Sequence, residues 1–195
     1  MRLLLAILVP FVVFTGSASA ACPKEPEDSF ATEVAETRSA VVWRDDTTLR
    51  GCLFSDGRPL SLALVEEANA QALRLSGRFV AFSYEEWDRY SGRPTTFAAM
   101  QLWDLRARRR VRETPATEQF GAGRNASRIA LRATGSAAIS FAATDDQAAE
   151  VWVVPTRGRV QRLDRGVGVR AASLTRRGEY AIWKRGATTK RFRLP

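Results

Sequence analysis

Four copies of one short pattern constrain the fold of this chain more than any other feature. In each copy a small or turn-forming residue precedes a short apolar strand, and a polar hairpin leads into a second strand. The copies begin at Arg38–Trp43, Ser76–Phe82, Thr134–Phe141 and Arg177–Trp183. Their anchor positions lie 39, 58 and 43 residues apart, at Ser39, Arg78, Ser136 and Glu179. Short strands repeating about every 40 residues indicate a radial β-repeat, in which each unit forms one small sheet.

The remaining hydrophobic pattern predicts an all-β fold. Apolar residues recur with a period of two or in short continuous runs, which is typical of buried strands, and no helical heptad occurs. Turn-forming clusters arrive about every 8–12 residues, as a meander of antiparallel strands requires. We therefore predict a small β-propeller-like array of about four antiparallel blades, each with three or four strands.

The first segment has the layout of a secretory signal peptide. Met1-Arg2 gives a positive start, Leu3–Phe14 is apolar apart from one proline, and Ala18–Ala20 supplies small residues for cleavage. The apolar run is shorter than the roughly 20 residues that span a bilayer. We predict that residues 1–20 are a signal peptide and that the mature protein is secreted or otherwise extracytoplasmic, with no stable membrane span after cleavage.

The cysteine count fits an exported protein. The chain has two cysteines, Cys22 and Cys52, and an oxidising compartment favours a disulfide between them. Such a bond would pin the N-terminus onto the first unit. A lipidated or free Cys22 is the alternative, although Ser19 stands where a lipoprotein signal has leucine.

Domain boundaries follow from the repeats. Residues 38–195 form a single propeller-like domain, and residues 21–37 form an N-terminal lead-in. The fourth unit ends one strand short at Arg191–Leu194. Phe30–Glu36, which alternates weakly, is the predicted donor of a closing strand.

Two units carry a resemblance to a known class of repeat. Ser76–Phe82 and Met100–Arg106 of the second unit resemble a WD40-like blade, and Glu150–Gly158 of the third unit echoes the same strand and turn. The general layout is also similar to the exported TolB-like propellers of bacteria. The chain contains no histidine, so the Gly-His dipeptide and the histidine network of WD40 blades are absent. The resemblance therefore implies the architecture and no functional residue.

The charge is basic and unevenly distributed. Residues 22–96 carry nine basic and thirteen acidic residues, whereas residues 97–195 carry twenty basic and eight acidic residues. Such asymmetry can mark an anionic partner, but the heavy use of arginine and alanine also fits a compositional bias of the genome. An exported protein seldom meets nucleic acid, so we predict no nucleic-acid binding. An unknown protein, a glycan or an anionic surface is the expected partner.

Several common chemistries are excluded by composition. Without histidine, neither a Ser-His-Asp triad nor Cys-His catalysis can form. Two cysteines without histidine cannot build the usual structural zinc sites, and no phosphate-binding glycine loop occurs. We predict no catalytic residues, no metal and no cofactor. Asp145 and Asp146 lack the spacing of a calcium loop and are predicted to serve a turn.

The tip of the second unit, residues 85–96, holds the remaining candidate site. Glu85 and Asp88 lie beside Trp87 and Tyr90, which combines carboxylates with aromatic platforms. A glycosidase needs two carboxyl groups about 5–10 Å apart across a sugar. A solvated tip with an aromatic lid, a carbohydrate- or peptide-binding loop and a hydrolase site remain open at this point.

Two residue sets are predicted to serve structure. One has comparable places in the four units and should pack between blades: Trp43, Phe82, Phe141 and Trp183. The other should share one face of an edge strand and protect it from aggregation: Arg108, Arg110 and Arg112.

The function that fits these observations is a non-enzymatic exported binding or scaffold module. Its ligand would lie at the top face of the ring or on the 85–96 tip. The alternatives are a carbohydrate-active hydrolase that uses the tip carboxylates, and a partial propeller that works only as an oligomer.

Overall fold

The computed structural model describes residues 22, 32–45, 47–64, 72–88, 93–115, 126–145 and 147–195. Within these ranges the chain consists of strands and connecting turns, without a helix. The predicted all-β fold class is therefore confirmed. In the described part of the chain, no helix has the length and apolar character needed to cross a membrane.

The described strands form four antiparallel sheets, each built from strands consecutive in sequence. The first sheet contains β1 (Thr32–Glu36), β2 (Ala40–Arg44), β3 (Thr48–Leu53) and β4 (Leu60–Leu64). The second contains β5 (Arg74–Ser76), β6 (Phe79–Asp88), β7 (Arg93–Asp104) and β8 (Arg109–Pro115). The third contains β9 (Arg128–Leu131), β10 (Ala137–Phe141), β11 (Glu150–Val154) and β12 (Gln161–Arg165). The fourth contains β13 (Val169–Arg177), β14 (Tyr180–Arg185) and β15 (Thr188–Arg193).

Alternating side chains of the second strand pack into two different apolar clusters in each of the first three sheets. On β6, Phe79 and Ala81 join a cluster with the third sheet, whereas Val80 and Phe82 join a cluster with the first sheet. Because successive residues of a strand point to opposite faces, one apolar run can cover both sides of a sheet. The continuous apolar runs in the sequence therefore correspond to strands that are buried on both faces.

The same alternation joins the third sheet to its two neighbours. Ile139 on β10 packs toward the second sheet, and Ala138 packs toward the fourth sheet with Trp183. The sheets thus stack in chain order, with β5 contacting β9 and β9 contacting β13. Among the described residues, no strand of the first sheet contacts a strand of the fourth sheet as extensively as β5 contacts β9 or β9 contacts β13. The array is propeller-like in its order and open at its ends.

The N-terminal strand does not close the fourth sheet, so that prediction is wrong. β1 pairs with β2 in the first sheet, where Glu36 lies opposite Val41. A tight turn favours this arrangement, because the Thr37 amide donates to the Ala40 carbonyl at 2.9 Å and the Ala40 amide donates to Thr37 Oγ1 at 3.2 Å. Pairing across this short turn closes a far smaller loop than pairing with β15 would.

The hairpin between β2 and β3 is held by Asp45. Its carboxylate accepts from the Thr48 amide at 2.7 Å, from the Thr47 amide at 3.2 Å and from Arg50 Nε at 2.5 Å. Burial by itself would raise the pKa of Asp45, but these hydrogen bonds outweigh burial and lower it below its ordinary value. The ionised carboxylate therefore stabilises the fold above its unfolded-state pKa, and this contribution is lost as the pH falls through the folded-state pKa.

A glycine sits where the turns of the second and third sheets meet. Gly135 has a φ of 89°, and a Cβ at this position would lie 2.6 Å from Thr156 Cγ2 and 2.9 Å from Phe79 Cε1. Both the backbone conformation and the close approach exclude a side chain here. Gly158 has a similar φ of 93° but no neighbouring atom within 4 Å of the equivalent position.

These two glycines give a matched test of the packing between the second and third sheets. We expect Gly158→Ala to lower the free energy of unfolding by about 1 kcal/mol, since only backbone strain is added. Gly135→Ala should lower it by roughly 2–4 kcal/mol, because overpacking is added to the same strain. Urea denaturation measures both values, and equal losses in the two variants would contradict the close contact.

A disulfide covers the outer face of the first sheet. Cys22 and Cys52 are bonded, with 5.8 Å between their Cα atoms, which confirms the predicted pair. The bonded cysteines pack with Val41 and Trp43 in a small buried cluster. Along β2, Val41 and Trp43 alternate with Ala40 and Val42, whose side chains face the second sheet. The disulfide therefore holds Cys22 against an apolar face that no other sheet of the described residues covers.

Breaking this disulfide should destabilise the protein. The bond closes a separation of 30 residues, and the chain-entropy model then gives a loss of about 3–4 kcal/mol. We expect reduction by dithiothreitol to lower the free energy of unfolding, measured by urea denaturation, by this amount. The double variant with Cys22→Ser and Cys52→Ser should show the same loss. The double variant should not respond to dithiothreitol, and an unchanged midpoint after complete reduction would refute the capping role.

Candidate ligand-binding site

Three innermost strands, one from each of the last three sheets, enclose a cavity. The cavity has a volume of about 240 Å³. Its walls come from β5, β9 and β13, which contact one another in that order. The lining consists of Arg74, Leu75, Ser76, Ile129, Ala130, Leu131, Leu174, Thr175 and Arg176. This arrangement follows from the stacking of the sheets, because the first strand of each unit lies at the same edge of the array.

The cavity is partly open to solvent, and its surface is mainly polar with a cationic rim. Ile129, Leu131 and Leu174 are buried and contribute little to that surface, whereas Arg74 and Arg176 are exposed. Ser76 and Thr175, which carry hydroxyl groups, belong to the same lining. Polar groups of this kind can orient a ligand.

Main-chain carbonyls hold the two arginines. Arg74 Nη1 donates to the Leu73 carbonyl at 2.6 Å, and Arg176 Nη1 donates to the Gly178 carbonyl at 2.8 Å. Each guanidinium has five N–H donors in a fixed plane, so each retains donors for a ligand. Neither arginine forms an ion pair with a carboxylate of the described residues. The rim therefore favours an anionic group.

None of the described residues that line the cavity carries a carboxylate. In the described part of the chain, no group of three or more cysteine, aspartate or glutamate residues is placed to hold a metal ion. Asp145 is exposed, and Asp146 lies outside the described residues. The described polar groups of the lining offer hydrogen bonds and positive charge.

Two buried carboxylates elsewhere are engaged by indoles and arginines. Glu150 accepts from Trp152 Nε1 at 2.8 Å and forms ion pairs at 3.3 Å with Arg162 and Arg165. All of these contacts lie within the third sheet, between β11 and its outer neighbour β12. A buried charge requires such partners, so this carboxylate is a structural group.

The second of these carboxylates joins the third and fourth sheets. Asp164 on β12 accepts from Trp183 Nε1 at 2.8 Å and from Arg185 Nη1 at 2.6 Å, both donors lying on β14. A charge-assisted hydrogen bond to a buried carboxylate is among the stronger polar contacts in proteins. The relative position of β9 and β13, and with it the cavity wall, depends partly on this contact.

Three of the four residues predicted at the 85–96 tip lie on a described strand. Glu85, Trp87 and Asp88 belong to β6, which continues to Asp88, and Tyr90 lies outside the described residues. The tip is therefore shorter than predicted: Glu85 pairs with Phe97 and Asp88 pairs with Arg93. Antiparallel pairing extends the ladder into this polar segment because each added pair satisfies backbone groups. Ligand binding by these four residues stays a prediction.

The residues predicted to serve structure are placed largely as expected. The aromatic set is buried, with Trp43 and Trp183 at 6% and 4% exposure and Phe82 and Phe141 at 0%. β8 is an edge strand of its sheet, but Arg108 precedes it in a turn with a φ of 52°, so the predicted shared face is wrong for this residue. Arg108 donates to the carbonyls of Arg58 and Pro59 at 3.0 Å, which joins the first two sheets.

The sequence reasoning missed Arg74 and Arg176 as site residues. Neither residue belongs to a recognisable motif. Their positions in the repeat could have indicated them. Arg74 lies in the first strand of the second unit, and Arg176 lies near the end of the first strand of the fourth unit. In stacked sheets, the first strands share one edge, so polar residues on them are the ones to compare.

Comparison with known proteins gives little further guidance. No family model matches the chain. No curated protein matches it either. Among solved structures, it is similar to the crystal structure of a eukaryotic initiation factor, with 13% identity and a TM-score of 0.37 over 89% of this chain and 54% of that one. The chain thus spans about half of that structure's length, and a similarity this low carries no argument about function.

Proposed function

We propose that this protein is a non-enzymatic binding module of an extracytoplasmic compartment, and that it holds a small anionic ligand in the cavity between β5, β9 and β13. The observation that carries the proposal is the pair of arginines, Arg74 and Arg176, that line one mainly polar cavity. A carboxylate, sulfate or phosphate group would accept from the guanidinium donors. Apolar atoms of the ligand would contact Ile129, Leu131 and Leu174.

The size of the cavity supports a small ligand. Pockets for drug-sized ligands have volumes of about 300–1,000 Å³, and this cavity has about 240 Å³. A charged monosaccharide combines one carboxylate with hydroxyl groups and an apolar ring face. It would therefore use the arginines, the hydroxyls of Ser76 and Thr175, and the small apolar part of the lining together.

The disulfide supports an extracytoplasmic location. Disulfides form and persist in oxidising compartments and are rare in the cytosol. The bonded Cys22–Cys52 pair agrees with the signal-peptide layout of residues 1–20. Cleavage of this segment and export of the mature chain are part of the proposal.

Binding is favoured over hydrolysis in this cavity because hydrolysis of a glycosidic bond needs two carboxyl groups beside the substrate. The described residues of the cavity lining include no carboxylate. A hydrolase that uses Glu85 and Asp88 would have to act at a separate place on the molecule.

Glucuronate is a suitable first probe, with glucose as the uncharged control. Isothermal titration should show glucuronate binding to the full chain and no comparable binding of glucose. Arg74→Ala and Arg176→Ala should each weaken glucuronate binding about tenfold or more, since a hydrogen bond to a charged group contributes roughly 1.5–3 kcal/mol. Inorganic sulfate tests whether the charge alone is sufficient.

Arg106→Ala is the matched control, because Arg106 is exposed in the turn after β7 and does not line the cavity. It should leave glucuronate binding unchanged. Equal binding by the wild type and both cavity variants, with thermal unfolding unaltered, would reject the cavity as the site.

Variants of the predicted tip separate binding from hydrolysis. Trp87→Ala, Tyr90→Ala, Glu85→Gln and Asp88→Asn should leave glucuronate binding within about twofold of the wild type, because the proposed ligand lies between β5, β9 and β13. Hydrolysis of an oligosaccharide that disappears in Glu85→Gln or Asp88→Asn while the urea midpoint is unchanged would instead identify an enzyme.

A further inference from the structure

Among the described residues, the fourth sheet has one strand fewer than the other three. In each of the first three sheets the third strand pairs with an outer neighbour: β3 pairs with β4, β7 with β8 and β11 with β12. In the fourth sheet the third strand is β15, and among the described residues its only strand neighbour is β14. Alternate backbone N–H and C=O groups of β15 therefore face away from the sheet, where a further strand could pair.

This edge differs chemically from the third strands of the other sheets. β11 is buried along its whole length, whereas β15 is exposed except at Phe192, which is half-buried. Its exposed side chains include three cations: Lys190, Arg191 and Arg193. The side chains of this edge are thus suited to solvent exposure. A strand that pairs with β15 must tolerate or complement its positive charge.

The charge extends over the whole outward face of the fourth sheet. In register, Arg191 lies opposite Ile182 and Arg193 lies opposite Tyr180, so these four residues share one face. Further cations on that face come from β13 and β14, where Arg170 pairs with Lys184 and Arg177 pairs with Tyr180. Between Val169 and Arg193 there are eight basic residues and one acidic residue, Glu179.

That single carboxylate is already shared. Glu179 forms ion pairs with Arg132 at 2.5 Å and with Arg193 at 2.8 Å. The Arg191 guanidinium lies over the Tyr180 ring at 5.6 Å, and no carboxylate of the described residues pairs with Arg191 or Lys190. The positive charge beside β15 is therefore largely uncompensated by the described part of the chain.

We infer that β15 is a docking edge for an extended acidic segment of a partner protein, which adds to the fourth sheet as its fourth strand. Backbone pairing would supply affinity, as in other cases of strand addition. Because side chains alternate, acidic residues at every second position of that segment would lie beside Arg191 and Arg193 on one face. Residues between them would lie beside Lys190 and Phe192 on the other face.

Charge also excludes the simplest alternative occupant. If two copies of the chain paired through β15, lysines and arginines would lie opposite lysines and arginines. Like charges directly opposite each other across strands are destabilising. The edge is therefore suited to an acidic segment rather than to its own copy.

The test uses a fluorescent peptide of alternating glutamate and valine with the full, oxidised protein. We expect saturable binding by fluorescence polarisation, and roughly three- to tenfold weaker binding to Arg191→Glu. A peptide with N-methyl groups on alternate residues keeps its charge but cannot pair on one edge, and it should bind at least about tenfold more weakly. Amide hydrogen exchange should show new protection at β15 when the unmodified peptide is bound.

Arg106→Glu is the matched control for a charge reversal at an exposed site on another sheet, and it should bind the peptide like the wild type. Equal binding of the N-methylated peptide, or no new protection at β15, would overturn strand pairing and leave only attraction between charges. Binding of heparin that displaces the peptide completely while β15 amides stay unprotected would do the same. A dimer by light scattering that dissociates in Arg191→Glu would identify a second copy as the occupant and also overturn the proposal.

Discussion

The fold depends on burying both faces of each inner sheet. A sheet of three or four short strands has two apolar faces at most and cannot form a closed core by itself. In this chain the central strands solve the problem by strict alternation, so that Val80 and Phe82 face one neighbour while Phe79 and Ala81 face the other. Each of the first three sheets is thus a layer between two apolar clusters, and the order of sheets follows the order of the chain.

A stack of this kind has two ends, and the outer faces at these two ends differ in polarity. At the first sheet the outer apolar face, with Val41 and Trp43, is covered through the Cys22–Cys52 disulfide. At the fourth sheet the outer face carries charged and polar residues instead, with Tyr180 partly exposed among them. Terminal units of repeat proteins need such protection because they have no neighbour on one side.

The cavity and the free edge both arise from this stacking. The first strand of each unit lies at the inner edge of the array, where β5, β9 and β13 leave a small space with arginines at its rim. The last strand of each unit lies at the outer edge, where the fourth sheet ends with β15. Buried contacts such as Asp164 with Trp183 fix the relative position of the sheets and so fix the shape of the cavity. Both places are cationic, in keeping with the basic second half of the chain.

The sequence by itself determined the all-β class, the four units and the disulfide pair, because each depends on local pattern: alternation of apolar residues, turn-forming residues at regular spacing, and two cysteines. It also placed the aromatic core residue of each unit. The tertiary structure alone decided that β1 pairs with β2, since a closing strand and a local hairpin strand have the same sequence pattern and differ only in their partner. It also decided that Arg74 and Arg176 share one cavity although about 100 residues separate them. Such proximity is set by how whole sheets stack, and no local pattern of residues encodes it.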